Sequence, residues 1–463
     1  MKEKKFKKFI KSIGKTKDVV ANTFEKTTET ISSIEVPITT TKIAITGLSR
    51  AGKTVFITSL IDQLLHQKKI VYVTSKHRPF VSRLMPPKSS VKRFDYYTFA
   101  KDIKIDAEWP DGTDNITSTI IEFETKSRFS IMGNSKQRIE LVDYPGEWIL
   151  DIKMLGMTYE QWSDLTINWM KNIDEDIVKE YLLVIDSLTK KSEGEPLEKE
   201  LHQKYAKMLA ILKKKHYSNL TPGRFIMPSD LAGDPILRFA PIDRSDSPLF
   251  RAYKKRYKSY VKNIVKDIQL EHFRGFDRQI VLVDVVNALQ NGYVCYTDMK
   301  DGIKNMLSLY SHKDKNFIAQ WFSPSINKVL FVATKADLVA SSQHNNFLSL
   351  LDDMVENIRR ELDIGHIATD TKVVASVKCT ETVVQKYDGR TLSFVRGIDA
   401  DTKKTVEIYP GEMPSSFPDT KSWDVNDYPY EEFLPPSKPY KDEEPFDHIH
   451  MDRIIKSIIG DLL

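Results

Sequence analysis

The sequence carries a G-x-x-x-x-G-K-[ST] pattern from Gly47 to Thr54, placed between a short apolar run and an amphipathic one. Residues 42–46 have the composition of a buried strand, and residues 55–65 repeat apolar side chains with a helical period. In that context the glycines allow backbone N–H groups to surround phosphate groups, and the helix N-terminus adds positive potential. The pattern therefore predicts a P-loop and, with it, an α/β nucleotide-binding domain.

The residues from the middle of this loop to the first helical turn are predicted to contact the nucleotide. They are Ser49, Arg50, Ala51, Gly52, Lys53, Thr54 and Val55. Lys53 is expected to reach the β- and γ-phosphates and to support catalysis, and the Thr54 hydroxyl is expected to bind Mg²⁺. Arg50 has two interpretations, an arginine finger or a structural or interface residue, and we prefer the second.

A second motif, D-x-x-G, runs from Asp143 to Gly146 after the strand-like residues 137–142. Asp143 is expected to hold Mg²⁺ through water, and the Gly146 N–H to contact the γ-phosphate. Glu147 follows, at the position where Ras-like enzymes place a glutamine that orients water. A carboxylate there can orient water or accept its proton, but its charge lies near the γ-phosphate. We therefore predict a catalytic Glu147 and slow hydrolysis.

A third motif, Thr-Lys-Ala-Asp at residues 334–337, follows the apolar run 328–333. Asp337 can accept hydrogen bonds from N1–H and the exocyclic amine of guanine, an arrangement that adenine does not offer. The stem of Lys335 is expected to pack over the base. Thr334, Lys335 and Asp337 are therefore predicted base contacts, and the ligand is predicted to be GTP or GDP.

Two weaker signals complete the predicted site. Ser376, Val377 and Lys378 follow the strand-like residues 372–375 and match the loop whose backbone N–H meets the guanine carbonyl. A threonine before the strand-like residues 119–124 is expected to bind Mg²⁺ and assist catalysis. Thr113 is the first candidate and Thr117 the second, and the alternative that both are ordinary loop threonines stays open.

The order of these motifs, each after an apolar strand, is that of a Ras-like domain. The resemblance to a known family rests on these motifs and on several other short segments. They are residues 46–54, 56–60, 142–148, 222–225, 230–233, 273–279, 333–337 and 448–453. On these segments the chain resembles the YcjX-like family of bacterial P-loop GTPases over about residues 40–463. The resemblance implies binding of GTP and GDP with Mg²⁺ and a role in envelope stress, and it leaves the protein effector unknown.

The predicted fold class is α/β, a Ras-like P-loop NTPase core with a mostly helical insert and a C-terminal extension. The predicted divisions are a basic arm and linker (1–40), a first core part (41–149), a helical insert (150–278), a second core part (279–380) and a β-rich, proline-rich extension ending in a helix (381–463). Residues 410–445 hold 8 of the 21 prolines. This stretch is predicted to extend over the surface.

The N-terminal arm, residues 1–17, contains eight lysines and one glutamate, a net charge of +7, whereas the whole chain carries +5. Phe6, Phe9, Ile10 and Ile13 share one helical face, so an anionic membrane surface is a predicted partner. A solvated tail or a helix packed on the body are the alternatives. The rest of the chain, at −2, lacks the charge excess typical of nucleic-acid binding. Two cysteines and no long apolar run predict a cytoplasmic location, or a peripheral one on the inner membrane face.

Two classes of function are compatible with these motifs. The first is a GTPase that hydrolyses GTP slowly and acts as a nucleotide-controlled switch. The second is a nucleotide-gated binding module with negligible turnover. A P-loop ATPase or kinase is disfavoured, because Asp337 selects guanine and no acceptor-substrate motif is present.

Overall fold

The computed structural model describes residues 38–48, 50–70, 80–86, 91–112, 115–125, 135–243, 247–266, 275–307, 326–419, 423–436, 440 and 444–462. Its centre is an eight-stranded sheet in the order β2-β4-β5-β1-β6-β7-β8, with β3 beside β4. The strands are β1 Thr39–Gly47, β2 Phe80–Met85, β3 Lys92–Arg93, β4 Thr117–Thr125, β5 Ser135–Asp143, β6 Arg278–Val283, β7 Lys328–Ala333 and β8 Ala368–Val373. The strand predictions for residues 42–46, 119–124, 137–142 and 328–333 are confirmed.

Five neighbouring strands, from β5 to β8, run parallel, so their carboxyl ends lie at one edge of the sheet. The parallel register pairs Ile45 of β1 with Asp143 of β5. Because the P-loop follows β1 and the D-x-x-G motif follows β5, this register brings the two motifs together. Antiparallel β4 then pairs Thr117 with Asp143.

Helices cover both faces of the sheet, as expected for parallel strands that are apolar on both sides. These helices are α1 Lys53–His66, α2 Tyr96–Lys101, α9 Val285–Gln290, α10 Gly292–Leu307, α11 His344–Ile364 and α12 Met451–Ile459. One buried cluster contains Phe56 of α1 and Ile455 of α12. The other contains Ile303 of α10 and Leu351 of α11. The predicted helices after the P-loop and at the C-terminus are confirmed.

The chain between β5 and β6 is mainly helical, as predicted for the helical insert. Its helices are α3 Gly146–Leu150, α4 Tyr159–Met170, α5 Asp176–Asp186, α6 Glu195–Lys214, α7 Gly223–Ile226 and α8 Pro248–Tyr260. A third buried cluster, rich in aromatic side chains such as Trp162, Tyr205 and Tyr257, packs α4 to α8 together, whereas the apolar side chains of α3 belong to a cluster of the core. The apolar periodicity of residues 155–171 predicts a helix from Leu155, but α4 begins at Tyr159, because Thr158 and Gln161 form a capping box at its start. The domain boundaries themselves stay a prediction.

The C-terminal extension differs from the prediction in two ways, and the core strand before it in one. The sequence predicts two strand-like runs, around residues 391–396 and 405–409, but the extension contains a three-stranded antiparallel sheet of β9 Glu381–Tyr387, β10 Arg390–Ile398 and β11 Thr405–Ile408. Residues 410–445 do not simply cross the surface, since Met413, Tyr428 and Tyr430 are buried in a main cluster. The strand expected at 372–375 is the end of β8, and Ala375 instead forms an isolated bridge with Ile449.

Candidate nucleotide-binding site

A cavity of about 610 Å³ opens where β1 and β7 end. It is lined by Arg50, Gly52, Val55, Trp109, Thr334, Lys335, Asp337, Leu338, Ser376, Val377, Cys379, Ala400, Glu431, Glu432 and Phe433. Its size lies within the range of roughly 300–1,000 Å³ typical of small-molecule sites. The structure therefore brings predicted P-loop residues and predicted base contacts to one cavity.

The P-loop has the backbone that a phosphate-binding turn requires. Arg50 and Gly52 have positive φ angles of 65° and 75°. Ala51 is buried, and its N–H donates to the Leu48 carbonyl. The Lys53 Nζ folds back and donates to the carbonyl of Gly47 at 3.0 Å. Lys53 is thus held beside the loop by a hydrogen bond that a phosphate group can replace.

The Arg50 side chain points toward the insert. Its Nη1 lies 3.2 and 3.3 Å from the two ring nitrogens of His216. Burial lowers the pKa of His216, and the neighbouring guanidinium of Arg50 lowers it further. A second cavity of about 340 Å³ lies beside the first and is lined by Arg50, His216 and Lys335 among others. This contact favours the interpretation of Arg50 as an interface residue.

The D-x-x-G motif packs directly against the P-loop. Asp143 ends β5 and is buried, and Gly146 begins α3. A Cβ at Gly146 would overlap the carbonyl oxygen of Gly47, so the approach of the two loops requires glycine at this position. The contact explains why the motif needs its glycine here even before any ligand is considered.

Glu147, predicted to act in catalysis, is 6% exposed and forms an ion pair with Lys213 at the end of α6, with 2.9 Å between Nζ and Oε1. Burial by itself raises the pKa of Glu147, but the ammonium groups of Lys53 and Lys213 reverse this and hold it below its usual value. The carboxylate is therefore ionised at neutral pH.

At the base end, Asp337 is held by a residue that the motif does not include. The Cys379 N–H and the Cys379 thiol both donate to Asp337 Oδ2, each at 2.9 Å. Burial raises the pKa of Asp337, and these two donors partly oppose it. The carboxylate thus has a fixed orientation in the cavity wall, as recognition of two adjacent donors requires.

Lys335 is also anchored by a residue outside its motif. It adopts a left-handed backbone conformation with a φ of 61°, and its Nζ lies 2.6 Å from Asp284 Oδ2. Burial lowers the pKa of Lys335, but Asp284 outweighs this and the net shift is upward. Asp284 directly follows β6 and caps α9 through the Asn287 N–H. The ion pair fixes the stem of Lys335 along the cavity.

Only part of the predicted Ser376–Lys378 loop lines the cavity. Ser376 and Val377 line the cavity, and the Ser376 carbonyl accepts a hydrogen bond from Ser59 of α1. Lys378 is not among the lining residues, and its N–H donates to the Asp447 carbonyl at 2.7 Å. A guanine carbonyl would therefore meet another N–H of this loop first.

The oxygen groups available for Mg²⁺ come from three elements. Thr54 and Asp143 are both buried where α1 begins and β5 ends. Thr117, across from Asp143, has a buried Oγ1 that lacks a hydrogen-bond partner among the described residues. Hydroxyl and carboxylate oxygens suit Mg²⁺, which takes its remaining ligands from phosphates and water. These residues fit a magnesium ion bound together with a nucleotide.

Three predicted features lie outside the described residues: Ser49, Thr113 and the arm at residues 1–17. Within the described residues, no group of three or more His, Cys, Asp or Glu side chains could hold a metal without a nucleotide. No helix in the same part of the chain has the length and apolar character needed to cross a membrane.

The C-terminal extension contributes Ala400 and residues 431–433 to the cavity wall; with Asp399 and Asp401, which line the second cavity, we call these residues the roof. The Asp399–Phe433 bridge and the hydrogen bond from the Ala400 N–H to the Glu432 carbonyl join its two halves. The indole Nε1 of Trp109 donates to the Phe433 carbonyl at 2.7 Å. The roof is therefore connected to the segment that precedes the predicted switch threonine.

A family model described as "YcjX-like family, DUF463" matches residues 41–463. The chain belongs to the YcjX-like family. The "Ras-like GTPase YcjX" of Escherichia coli (strain K12) is 29% identical over 452 residues, covering 91% of this chain and 96% of that protein. The protein of the same name from Shewanella oneidensis is 28% identical over 459 residues, covering 91% and 94%. The predicted α/β fold with a Ras-like P-loop core is thereby confirmed.

Sequence reasoning missed the residues of this YcjX-like chain that support the site from outside the motifs. Asp284 had a usable signal, since a carboxylate directly after a buried strand is typical of an α/β site. Lys213, Cys379 and Trp109 had none, because each meets its partner only through the tertiary fold.

Proposed function

We propose that the protein binds GTP and GDP with Mg²⁺, hydrolyses GTP slowly and acts as a nucleotide-controlled switch. The observation that carries this proposal is the shared cavity, in which the P-loop meets a buried Asp337 held by Cys379. The names of the two relatives, both Ras-like GTPases, support the same choice of nucleotide.

The choice of guanine rests on the carboxylate of Asp337. A buried acceptor that meets two donors of guanine leaves an unpaired desolvated charge when adenine is bound. Lys335, whose ammonium pairs with Asp284, supplies an apolar methylene chain beside Asp337 in the cavity wall. We therefore expect GTP and GDP to bind at least about a hundredfold more tightly than ATP, a difference of roughly 3 kcal/mol.

Catalysis would rest on charge neutralisation and positioning. Lys53 and the loop N–H groups would stabilise the phosphates, and Mg²⁺ would neutralise developing charge between Thr54 and Asp143. Glu147 would orient the attacking water. Because Glu147 is ionised and close to Lys53, it adds a negative charge that opposes phosphate binding nearby. This supports slow turnover.

The test is calorimetry of the purified full chain with GTP, GDP and ATP, followed by chromatography of GTP turnover with Mg²⁺ and with EDTA. Equal affinity for ATP and GTP would contradict the guanine assignment. Tight GTP binding without Mg²⁺-dependent turnover would favour the alternative of a nucleotide-gated binding module.

The physiological setting follows from family resemblance alone. We propose a role in bacterial envelope stress with a protein effector, at the cytoplasmic face. Complementation of a deletion strain under envelope stress by the unaltered protein and by Lys53→Ala tests it. Equal rescue by both would contradict a nucleotide-dependent role.

The arm would add reversible attachment to anionic lipid. Attraction to anionic lipid contributes about 1 kcal/mol for each nearby basic residue and is screened by salt. Deletion of residues 1–17 should abolish co-sedimentation with phosphatidylserine-containing vesicles at low salt and leave GTP affinity unchanged. Full-length protein that stays in the supernatant under these conditions would exclude the membrane role.

A further inference from the structure

Lys213, a residue of the insert, forms an ion pair with Glu147, the predicted catalytic residue. It lies in the last turn of α6, and its Nζ is 2.9 Å from Glu147 Oε1. The carboxylate is 8% exposed as a side chain, whereas the lysine side chain retains 27% exposure. The ion pair is thus half-enclosed, with the negative partner on the inside.

A second element of the insert fixes the backbone of Glu147. At Gly223, the start of α7, a Cβ would overlap the carbonyl oxygen of Glu147. The preceding Gly146 is in equally close contact with Gly47. Close backbone contacts therefore fix the main chain of Glu147 on both sides. The ion pair with Lys213 then fixes the direction of its side chain.

The charges around Glu147 change when a nucleotide binds. Without ligand, Lys53 and Lys213 both stabilise the carboxylate. When GTP is bound, the Lys53 ammonium is expected to pair with the phosphate groups, which carry several negative charges. Lys213 is then the cation among the described residues that remains paired with Glu147. An unpaired carboxylate there would repel the γ-phosphate.

We propose that Lys213 is a positioning residue for GTP hydrolysis, which holds and neutralises the Glu147 carboxylate so that it orients the attacking water. This rests on the proposed function. In the reaction, the water oxygen bonds to the γ-phosphorus while the bond from that phosphorus to the β–γ bridging oxygen breaks. The water proton passes to Glu147 or to the phosphate.

The matched control is Lys214, the next residue of the same helix, which is exposed and forms no ion pair within the part of the chain that the structure describes. The variants are Lys213→Ala, Lys213→Gln, Lys213→Arg and Lys214→Ala, each made in the unaltered chain and in the Glu147→Gln background. Steady-state GTP hydrolysis gives kcat and KM, and far-UV circular dichroism with thermal melting reports folding.

We expect Lys213→Ala and Lys213→Gln to lower kcat about tenfold or more, with KM changed less than about threefold. Lys213→Arg should restore kcat to within about threefold, and Lys214→Ala should leave it unchanged. In the Glu147→Gln background, Lys213→Ala should change kcat less than about twofold, since no charge remains to be neutralised.

Two results would overturn the inference while the proposed function stands. One is turnover in the unaltered chain together with normal kcat in both neutral Lys213 variants. The other is an equal loss in the Glu147→Gln background, which would show that Lys213 acts without Glu147. If the unaltered chain binds but does not hydrolyse GTP, both the inference and the proposed hydrolysis fail, and this is known before any variant is measured.

Discussion

The two ends of the candidate site are supported by different parts of the chain. At the base end, Asp337 is held by Cys379 and Lys335 by Asp284, and all four follow strands of the central sheet or lie close to them. At the phosphate end, the residues after the D-x-x-G motif are held by the insert. Lys213 pairs with Glu147 there.

The insert holds the phosphate end through more than this ion pair. Arg224 stacks over Trp148, with 3.4 Å between guanidinium carbon and ring centroid, and the Trp148 Nε1 donates to the Met227 carbonyl at 3.2 Å. The predicted base contacts are therefore held mainly by the core, whereas the residues after the D-x-x-G motif also contact the insert. On the proposed function, we expect that base recognition and GTP hydrolysis can be altered separately.

The largest expected effect is at the phosphate end. Lys53→Ala removes a cation whose side chain donates to the Gly47 carbonyl of the same loop, so the fold should survive. Loss of charge-assisted contacts to two phosphates should weaken GTP and GDP binding by about a hundredfold or more. Calorimetry measures this, with thermal melting as the control. Near-normal binding and turnover in this variant would contradict the P-loop assignment.

The next effect tests the base end. Asp337→Asn replaces an acceptor by an amide that can donate to the second carbonyl of xanthine, so affinity should shift from GDP to xanthosine diphosphate. The loss of GDP affinity should be about a hundredfold, since a buried pair of hydrogen bonds is broken. Competition binding with both diphosphates measures the shift. An unchanged preference would place Asp337 away from the base.

A smaller effect is expected at Cys379. Cys379→Ala removes the thiol donor and leaves the backbone N–H, which should weaken GDP binding about five- to tenfold, while Cys379→Ser keeps a donor and serves as the control. Turnover at saturating GTP should not change, because this residue belongs to the base end. A loss of kcat instead would show that the two ends are not separate.

The Cys379 variant also has an expected pH dependence. Burial raises the pKa of Asp337, and the Cys379 donors hold it back. Removing the thiol should raise it further, so protonation begins at higher pH. Protonated Asp337 loses an acceptor for guanine, so GDP affinity should begin to fall at a higher pH in Cys379→Ala than in the unaltered chain as the solution is acidified. Parallel pH curves would contradict this cause.

The motif residues could be predicted from the sequence, whereas the residues that hold them in place could not. The Gly47–Thr54 loop and the Thr334–Asp337 motif are local: their residues act within one turn after an apolar strand, so pattern and geometry coincide. Their supports are not local. Cys379 lies 42 residues from Asp337, and Trp109 lies 324 residues from Phe433. A single sequence offers no signal for such pairs.

The C-terminal extension shows a second reason for the difference. Its prolines correctly indicated a stretch with little regular structure, but proline content says nothing about burial. Tyr428, Tyr430 and Met413 pack into a main cluster, and the Gln290 side chain donates to the Tyr430 carbonyl. The aromatic residues between the prolines are the sequence feature that indicates burial of this stretch. As a result the extension reaches the cavity and forms its roof.

The smallest expected effect concerns that roof, where the base end meets the segment before the switch threonine. Trp109→Phe keeps an aromatic ring but removes the Nε1 hydrogen bond to the Phe433 carbonyl. One neutral hydrogen bond contributes about 1 kcal/mol, so GDP should dissociate about fivefold faster. Stopped-flow release of a fluorescent GDP analogue measures the rate.

The matched control is Trp423→Phe. Trp423 also donates its Nε1 to a backbone carbonyl, that of Leu289 at 2.9 Å, but it does not line the cavity. Its removal should leave GDP release within about twofold of the unaltered chain, although stability falls by a similar amount. Equal acceleration in both variants would mean that GDP release follows overall stability. Acceleration in Trp109→Phe alone would show that the roof must separate from Trp109 before the nucleotide leaves. The rate of nucleotide exchange would then be limited at the base end of the site and not at the insert.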